Sequence, residues 1–297
     1  MQPADTKRER AMPRIQCPYH LGEVRPEFQK KQERSVYVCP GCGSEVHRDF
    51  VEKSGVPKAS VGLIGYSGHG KTVYVTSLFY QLKFLEEQWS EYYHLSLDDN
   101  THRIIYEQVP TFEKSALPES TPVNFPYPAL VYFHEIPGFG DRFLIFYDTS
   151  GEVFEHPDLI TDQGRFVAHS DIVLFIVSVD ESAEALCENV RKLLDVYIGA
   201  VYNQMRINIR KRQHLVFAFS KADMIMDQDE EIFTLPDDRL AAGAYQQYLH
   251  IGDAHSHHQL RRRSRCIRDW LLACGGKGAV KVAEANFKSV EYTMLSA

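Results

Sequence analysis

Short apolar runs alternate with amphipathic stretches along most of the chain. Five runs rich in β-branched and aromatic residues have the length of buried strands, at residues 59–64, 129–136, 142–147, 171–180 and 214–219. Residues 73–89 and 184–202 carry apolar residues at helical spacing, and residues 289–297 alternate as a last strand does. The order predicts an α/β fold with a mostly parallel sheet, helices on both faces, and an antiparallel strand at 129–136.

A phosphate-binding motif follows the first predicted strand. Residues 65–72 read Gly-Tyr-Ser-Gly-His-Gly-Lys-Thr, a complete GxxxxGK(S/T) loop between a strand and a helix, which is the setting this motif requires. Backbone N–H groups of the loop and the helix N-terminus are expected to point at phosphates. Lys71 would reach the β- and γ-phosphates, and the Thr72 hydroxyl would bind magnesium. The predicted nucleotide-binding residues are Gly65, Ser67, Gly68, His69, Gly70, Lys71 and Thr72.

Two further motifs follow later strands. The strand at 142–147 ends in Asp-Thr-Ser-Gly, and Asp148 at its tip is placed to hold a magnesium-bound water. Gly151 permits a backbone N–H to approach a γ-phosphate and to turn away when the phosphate leaves. The strand at 214–219 runs into Ser-Lys-Ala-Asp at 220–223, and the chain closes on Ser-Ala at 296–297.

In this order the motifs resemble those of the Ras-like, translation-factor-related (TRAFAC) class of P-loop GTPases, over about residues 56–297. The resemblance implies that Asp223 accepts two hydrogen bonds from the guanine edge, which adenine does not offer. It also implies that Lys221 packs over the ring and that the final Ser-Ala contacts the guanine carbonyl. Ser220 stands where the family has Asn or Thr, which weakens a supporting hydrogen bond. The implied ligands are GTP and Mg²⁺.

The resemblance also implies a threonine in the first switch that completes magnesium coordination. Of Thr101, Thr111 and Thr121, the last matches best, because it lies in a proline-punctuated loop just before the strand at 129–136. A structural role as a turn residue is equally open for Thr121.

Catalytic power is the least determined property. Glu152 occupies the position after Gly151 that often orients the attacking water, but a carboxylate beside a γ-phosphate is repelled. Glu152 is therefore a candidate base or only a surface helix residue. We expect slow GTP hydrolysis that a partner's arginine accelerates, with Arg142 and Arg165 as internal alternatives. The catalytic candidates are Lys71, Thr121 and Glu152.

A different pattern precedes the nucleotide motifs. Cys17-Pro-Tyr-His20 and Cys39-Pro-Gly-Cys42 each leave two residues between ligands, as a tetrahedral zinc site on two knuckles does. His47 is a second-choice ligand. We expect a flexible tail at 1–13, a zinc ribbon at 14–52 whose folding energy comes mostly from the metal, and a GTPase domain at 56–297. The alternative is a mobile tail with incidental cysteines. Ribbon plus GTPase is similar to bacterial GTPases of the double-GTPase kind in predicted conflict systems.

Composition limits the expected compartment and the expected classes of partner. The 297 residues carry a formal net charge of −7, which argues against a general nucleic-acid-binding surface. No apolar stretch approaches a membrane span, the start lacks a signal peptide, and the six cysteines form no disulfide framework. We expect a cytoplasmic protein whose partners are a guanine nucleotide and a protein partner or activator, with no membrane contact and no nucleic acid.

Two other functions stay open: an ATP-using P-loop NTPase, and a zinc-ribbon adaptor whose fold is stabilised by nucleotide without turnover. Ras-like domains end with a helix on the last strand, so we expect either a longer polypeptide or another chain covering that face. The histidines at 250, 255, 257 and 258 are expected in a polar loop. The basic clusters 206–212 and 261–268 suggest contacts with phosphate or an acidic partner, but solvated helix faces are the preferred interpretation.

Overall fold

The computed structural model describes residues 14–31, 34–114, 128–155, 159–160, 164–179, 182–225 and 254–295. The chain divides into two compact units between Pro57 and Lys58. The expected tail at 1–13, Thr121 and the final Ser-Ala lie outside the described residues.

The first unit is small and antiparallel. Its strands are β1 Ile15–Gln16, β2 Glu23–Val24, β3 Glu27–Lys31, β4 Arg34–Val38 and β5 Glu45–Val46, and they are followed by α1 Arg48–Glu52. β1 pairs with β2, and β3, β4 and β5 form a second sheet. Phe50 and Val51 are buried on α1, and Tyr37 donates a 2.8 Å hydrogen bond to Glu52. So few buried apolar side chains make a modest core, which leaves room for a metal to contribute.

A seven-stranded sheet forms the second unit. Its strands are β6 Lys58–Ile64, β7 Tyr93–Ser96, β8 Ala129–Ile136, β9 Gly140–Asp148, β10 Ile172–Ser178, β11 His214–Ser220 and β12 Ser289–Met294. Their order is β12-β11-β10-β6-β9-β8-β7. The pairs among β12, β11, β10, β6 and β9 are parallel, whereas β8 runs antiparallel to both of its neighbours. The predicted mostly parallel sheet with an antiparallel strand at 129–136 is confirmed.

Helices cover both faces of this sheet. They are α2 Lys71–Gln88, α3 Asp99–Arg103, α4 Val109–Glu113, α5 Arg165–His169, α6 Ala183–Gly199, α7 Ala254–Ala273 and α8 Lys277–Asn286. One core packs α5 to α8 against residues such as Phe175 and Phe217. The other packs α2 against β6 and β8 through residues such as Phe79 and Val131. Both faces of the central strands are therefore buried, which explains their continuous apolar runs.

The expectation of a polar loop around the histidines is wrong, because helix α7 begins at Ala254. Residues 255, 257 and 258 are helical, and position 250 lies outside the described residues. The buried apolar residues at helical spacing, Ile267 and Leu271, come later in the helix. The sequence around the histidines therefore shows no helical pattern. Ser264 Oγ accepts a 2.9 Å hydrogen bond from the backbone N–H of Tyr292 on β12. The helix therefore packs along the edge strand, and the basic cluster 261–268 is helical as expected.

Across the described residues, every helix is too short or too polar to pass through a lipid bilayer.

Candidate functional site

The phosphate-loop sequence connects β6 to α2 in the conformation that its glycines allow. Gly68 and Gly70 have φ values of 79° and 86°, a left-handed region that favours glycine. A Cβ on Gly65 would lie 2.4 Å from the carbonyl oxygen of Ile176 on β10. The loop is therefore held at the carboxyl ends of two neighbouring parallel strands, where α/β sheets bind ligands.

Lys71 is the buried cation of the loop. Its side chain is almost enclosed, with 6% of the residue exposed, and Nζ donates to the carbonyl oxygens of Gly65 at 2.7 Å and Tyr66 at 3.0 Å. Burial lowers the pKa of Lys71 to about 8, and the nearby carboxylates of Asp148 and Glu155 oppose that shift. Two neutral carbonyls and the field of two carboxylates thus hold a charge that a bound phosphate would stabilise far better.

The Asp-Thr-Ser-Gly segment lies directly against this loop. β9 runs parallel to β6, and Asp148 is opposite Leu63 near the end of β6. A Cβ on Gly151 would lie only 2.1 Å from the backbone nitrogen of Ser67 and 2.4 Å from the carbonyl carbon of Tyr66. Any larger residue at 151 would push the backbone of the loop, so the glycine is needed for close approach rather than for a positive φ.

Glu152 and the internal arginines occupy less central positions. Glu152 is exposed on a 3₁₀ turn, Gly151–Phe154, whose next two residues are buried. Arg142 lies six residues before Asp148 on β9, about 20 Å away at roughly 3.3 Å per residue, and donates to the carbonyl of Asp141. That distance removes Arg142 from the candidates for an internal arginine. Arg165 begins α5 with its guanidinium 5.1 Å from the ring centre of Phe166.

Ser220 links the third motif to the phosphate loop. Its hydroxyl donates a 2.8 Å hydrogen bond to the carbonyl oxygen of His69, and its Cβ would be 3.9 Å from a Cβ on Gly70. The serine therefore makes a hydrogen bond that supports the loop.

The Ser-Lys-Ala-Asp segment is also tied to the last strand. Lys221 has a φ of 57°, and the next residue, Ala222, donates its N–H to the carbonyl of Leu295 at 3.0 Å. Asp223 is exposed on the 3₁₀ turn Ala222–Ile225. Sequence patterns do not reveal the part played by Leu295, because only a backbone group is involved.

Tyr66 is a residue that the motif does not reveal, because it stands at a variable position. Its ring makes an edge contact with the ring of His69 at 5.4 Å, and Lys192 Nζ on α6 lies 5.9 Å from its centre. Burial, with the charge of Glu155, raises the pKa of Tyr66 to about 12. The tyrosine therefore packs the loop against α6 as a neutral phenol.

The four expected zinc ligands converge in the first unit. The ligand atoms of Cys17, His20, Cys39 and Cys42 all lie within 4.8 Å of one another. Cys17 Sγ is 3.8 Å from Cys42 Sγ, and Cys39 Sγ is 3.6 Å from His20 Nδ1. A tetrahedral site with zinc–sulfur bonds of about 2.3 Å and zinc–nitrogen bonds of about 2.1 Å has a sulfur–sulfur edge of about 3.8 Å and a sulfur–nitrogen edge of about 3.6 Å. The two separations match those edges, and the sulfur–sulfur separation is far longer than a disulfide bond.

The two halves of this cluster repeat each other. Cys17 accepts from the N–H of Leu21 and donates to the carbonyl of Gly22; Cys39 does the same with the residues at 43 and 44. Cβ atoms on Gly22 and Gly41 would lie 2.4 and 2.6 Å from His20 Nε2, so both glycines make room for the imidazole. The local fold therefore presents Nδ1 to the thiols.

His47 is not part of the cluster. Its Nδ1 accepts a 3.2 Å hydrogen bond from the N–H of Asp49 and caps α1, which gives this second-choice ligand a structural role.

Burial raises the pKa of the Cys17 thiol to about 12, and a bound cation would reverse that preference for the neutral form.

The His134, Glu135 and Asp141 side chains also approach one another, at the β8–β9 hairpin. Asp141 accepts from Tyr132 at 2.5 Å and from the N–H of Glu135 at 3.1 Å, and pairs with His134 at 2.9 Å. These contacts account for the cluster as a stabilised hairpin.

The chain matches no family model and no curated protein. It is similar to a GTP-binding protein from Sulfolobus solfataricus in complex with GDP, at 11% identity over 82% of this chain and 48% of that one, with a TM-score of 0.33. It is also similar to Sup35 complexed with GMPPNP, at 15% identity over 81% of this chain and 37% of that one, with a TM-score of 0.33. A third similar structure is the S. cerevisiae Ski7 GTPase-like domain bound to GDP and inorganic phosphate. It is 13% identical over 83% of this chain and 45% of that one, with a TM-score of 0.38. The chain spans half or less of these proteins. The fold is assigned from the strand order and the loop geometry.

The pKa of Lys71 predicts a pH dependence of nucleotide binding. A bound diphosphate favours the ammonium, so the free protein must take up a proton wherever Lys71 is neutral. With a pKa of about 8, the charged fraction falls from about nine-tenths at pH 7 to about a quarter at pH 8.5. The dissociation constant for GDP, measured by calorimetry at constant magnesium, should therefore rise about fourfold.

Lys71→Arg provides the comparison, because a guanidinium stays charged and should leave its own affinity flat across this range. Constant affinity of the unmodified protein from pH 7 to 8.5 would contradict the account of the buried ammonium.

Proposed function

We propose that the chain is a guanine-nucleotide-binding P-loop protein that hydrolyses GTP slowly. One observation carries the proposal: three separate segments, 65–72, 148–151 and 220–223, meet at one end of the sheet. Gly151 lies against the backbone of Ser67, and Ser220 holds the carbonyl of His69. A lysine buried between them supplies the charge that a polyphosphate needs.

Each segment has a separate part in the proposed site. The loop and Lys71 bind the phosphates, and the first turn of α2 adds its positive end. The residues that would hold Mg²⁺ are Thr72 through its hydroxyl and Asp148 through bound water, and the ion would neutralise the phosphate oxygens. Oxygen donors of this kind are the ligands that Mg²⁺ prefers. Thr121 stays the proposed switch threonine.

The base is assigned to guanine through Asp223. The link from Ser220 to His69 supports this, because it places the segment ending in Asp223 beside the phosphate loop. A carboxylate accepts both donors of the guanine edge, and adenine would leave it unpaired. The competing function is an ATP-using P-loop NTPase.

The base assignment predicts a loss of selectivity in Asp223→Asn. An amide replaces one of the two acceptor oxygens with a donor, so GDP binding should weaken about 100-fold, while ADP binding should change little. Competition against a fluorescent GDP analogue at fixed magnesium measures both.

Asp195→Asn is the matched control, since it makes the same change on the exposed face of α6, where Asp195 pairs with Arg191. Equal affinity of the unmodified protein for ADP and GDP, with no effect of Asp223→Asn, would favour the ATP-using alternative.

Turnover is proposed to be slow without a partner. Glu152 is exposed, and Arg142 is remote from Asp148, so among these candidates only Arg165 remains as an internal arginine. An arginine from a protein activator would accelerate hydrolysis by about 10³–10⁵. The nucleotide state would then act as a switch, in the cytoplasm and in a bacterial conflict or defence system. A zinc-ribbon adaptor without turnover is the remaining alternative.

Single-turnover hydrolysis of GTP separates these roles. Lys71→Ala should lower the rate about 100-fold or more, because charge developing on the phosphates loses its buried cation. Lys83→Ala on the same helix, whose ammonium pairs with Glu113 at 2.8 Å, should leave the rate unchanged. Glu152→Gln should alter it less than about threefold, given the exposure of this carboxylate. Undiminished hydrolysis by Lys71→Ala would exclude the proposed site.

We further propose that the first unit is a structural zinc ribbon at 14–52, with Cys17, His20, Cys39 and Cys42 as ligands, followed by the nucleotide-binding domain at 56–297. Four protein ligands complete a tetrahedron and leave no position for a substrate, so the metal would stabilise the fold. The match of two ligand separations to tetrahedral edges supports this assignment.

Metal analysis of the purified chain should find about one zinc per molecule, as a four-ligand site binds one ion. Cys39→Ser should lose the metal and make residues 14–52 sensitive to protease, while Cys266→Ser, an exposed thiol on α7, should keep both properties. Zinc retained at full stoichiometry in Cys39→Ser would contradict the ligand set.

A further inference from the structure

Helix α7 has one face that packs on the sheet and one that faces solvent. Ser264, Ile267 and Leu271 are buried, and Trp270 makes an edge contact with Phe219 at 5.3 Å. At 100° per residue, the opposite side carries a different set of residues. This set, here called the α7 stripe, consists of the exposed residues His258, Arg261, Arg262 and Arg265.

The stripe concentrates positive charge for which the described residues supply no ion-pair partner. Residues 255–268 contain five arginines and no Asp or Glu, in a chain whose formal net charge is −7. Arg268 pairs with Glu284 at 2.7 Å and with Asp269 at 3.4 Å. Within the described ranges no carboxylate forms an ion pair with the stripe arginines. Arg261 and Arg265 are four residues apart on the helix, a spacing at which like charges repel and destabilise it. A helix that keeps such repulsion is suited to a negatively charged ligand.

An apolar corner adjoins the stripe. Leu260 follows the inward face of α7 yet is 57% exposed, because the helix extends past the side chains that bury Ile267 and Leu271. Phe139, in the β8–β9 turn, is 38% exposed and its ring centre lies 6.0 Å from that of His257. His257 neighbours Leu260 at i+3 and Arg261 at i+4, so the corner and the stripe form one continuous surface.

The combination of arginine and apolar groups favours a protein ligand. Guanidinium groups bind carboxylates in bidentate fashion, and arginine next to an apolar anchor is typical of protein interfaces. A nucleic-acid backbone would make no use of Leu260 and Phe139, and it would meet the acidic total of the chain. We propose that the α7 stripe and its apolar corner dock an acidic segment of a partner protein that carries an apolar side chain. The surface includes no residue of the nucleotide site, so the inference goes beyond the proposed function.

Fluorescence anisotropy with defined peptides tests the docking surface. The probes are a labelled twelve-residue peptide of Glu and Asp with two leucines, and the same peptide with serines in place of the leucines. The full chain, loaded with GDP and magnesium, should bind the leucine peptide about tenfold more tightly, because one buried leucine contributes that much. Added salt should weaken both interactions.

Two charge-reversal variants separate the stripe from general electrostatics. Arg261→Glu, Arg262→Glu and Arg265→Glu together should abolish binding of both peptides. The matched control makes the same charge change at the exposed residues Arg206, Arg210 and Lys211, and should keep the selective binding. Leu260→Ser should remove only the tenfold preference for leucine. Unchanged GDP affinity in every variant shows that the fold and the nucleotide site are intact.

Equal loss of binding in the two charge-reversal variants would overturn the proposal, since the interaction would then follow net charge alone. Binding of a twenty-nucleotide single-stranded RNA, or of vesicles rich in phosphatidylserine, more tightly than the leucine peptide and through the stripe arginines would overturn the assignment to a protein partner.

Discussion

A buried ammonium is the constraint on which the rest of this molecule depends. Lys71 is enclosed by its own loop, and the carbonyls of Gly65 and Tyr66 are the hydrogen-bond acceptors that hold it. Desolvation makes that charge costly, as its lowered pKa records. The polyphosphate that we propose as ligand would relieve this cost, because its negative charge favours the ammonium. One cation lies at the end of a parallel sheet. Around it are the glycines of the loop, the N-terminus of α2 and the carboxylate of Asp148.

Sheet topology explains why the other motifs arrive at the same place. β9, β6, β10 and β11 are parallel neighbours, so the segments that leave their carboxyl ends share one edge of the sheet. Two close contacts then join them: Gly151 against Ser67, and Ser220 to His69. Residues far apart in sequence thereby become a single site, and a change at Gly151 or Ser220 acts on the phosphate loop through its backbone.

Sequence patterns predicted the parts of this arrangement that local chemistry determines. Buried strands read as continuous apolar runs, and the phosphate loop is spelled out by glycines whose backbone angles few other residues adopt. The convergence of Cys17, His20, Cys39 and Cys42 was predictable because each pair has two residues between its members, the spacing that zinc knuckles use.

The parts that escaped prediction depend on contacts between distant residues. The edge strand β7 has only four residues, too few to show a period. The first turn of α7 precedes the apolar spacing that holds the helix to the sheet. Only the fold shows that the hydroxyl of Ser220 reaches the carbonyl oxygen of His69. The packing of Tyr66 against Lys192 cannot be predicted from the GxxxxGK(S/T) motif, because position 66 is variable in it.

The most direct test of the central claim is a crystal structure of the chain with magnesium and a non-hydrolysable GTP analogue. The account predicts that Lys71 leaves the carbonyl of Gly65 for the β- and γ-phosphates, and that Asp223 accepts hydrogen bonds of about 2.9 Å from the guanine edge. A base bound beyond the reach of the Asp223 side chain, or a triphosphate that leaves Lys71 on its loop carbonyls, would contradict it.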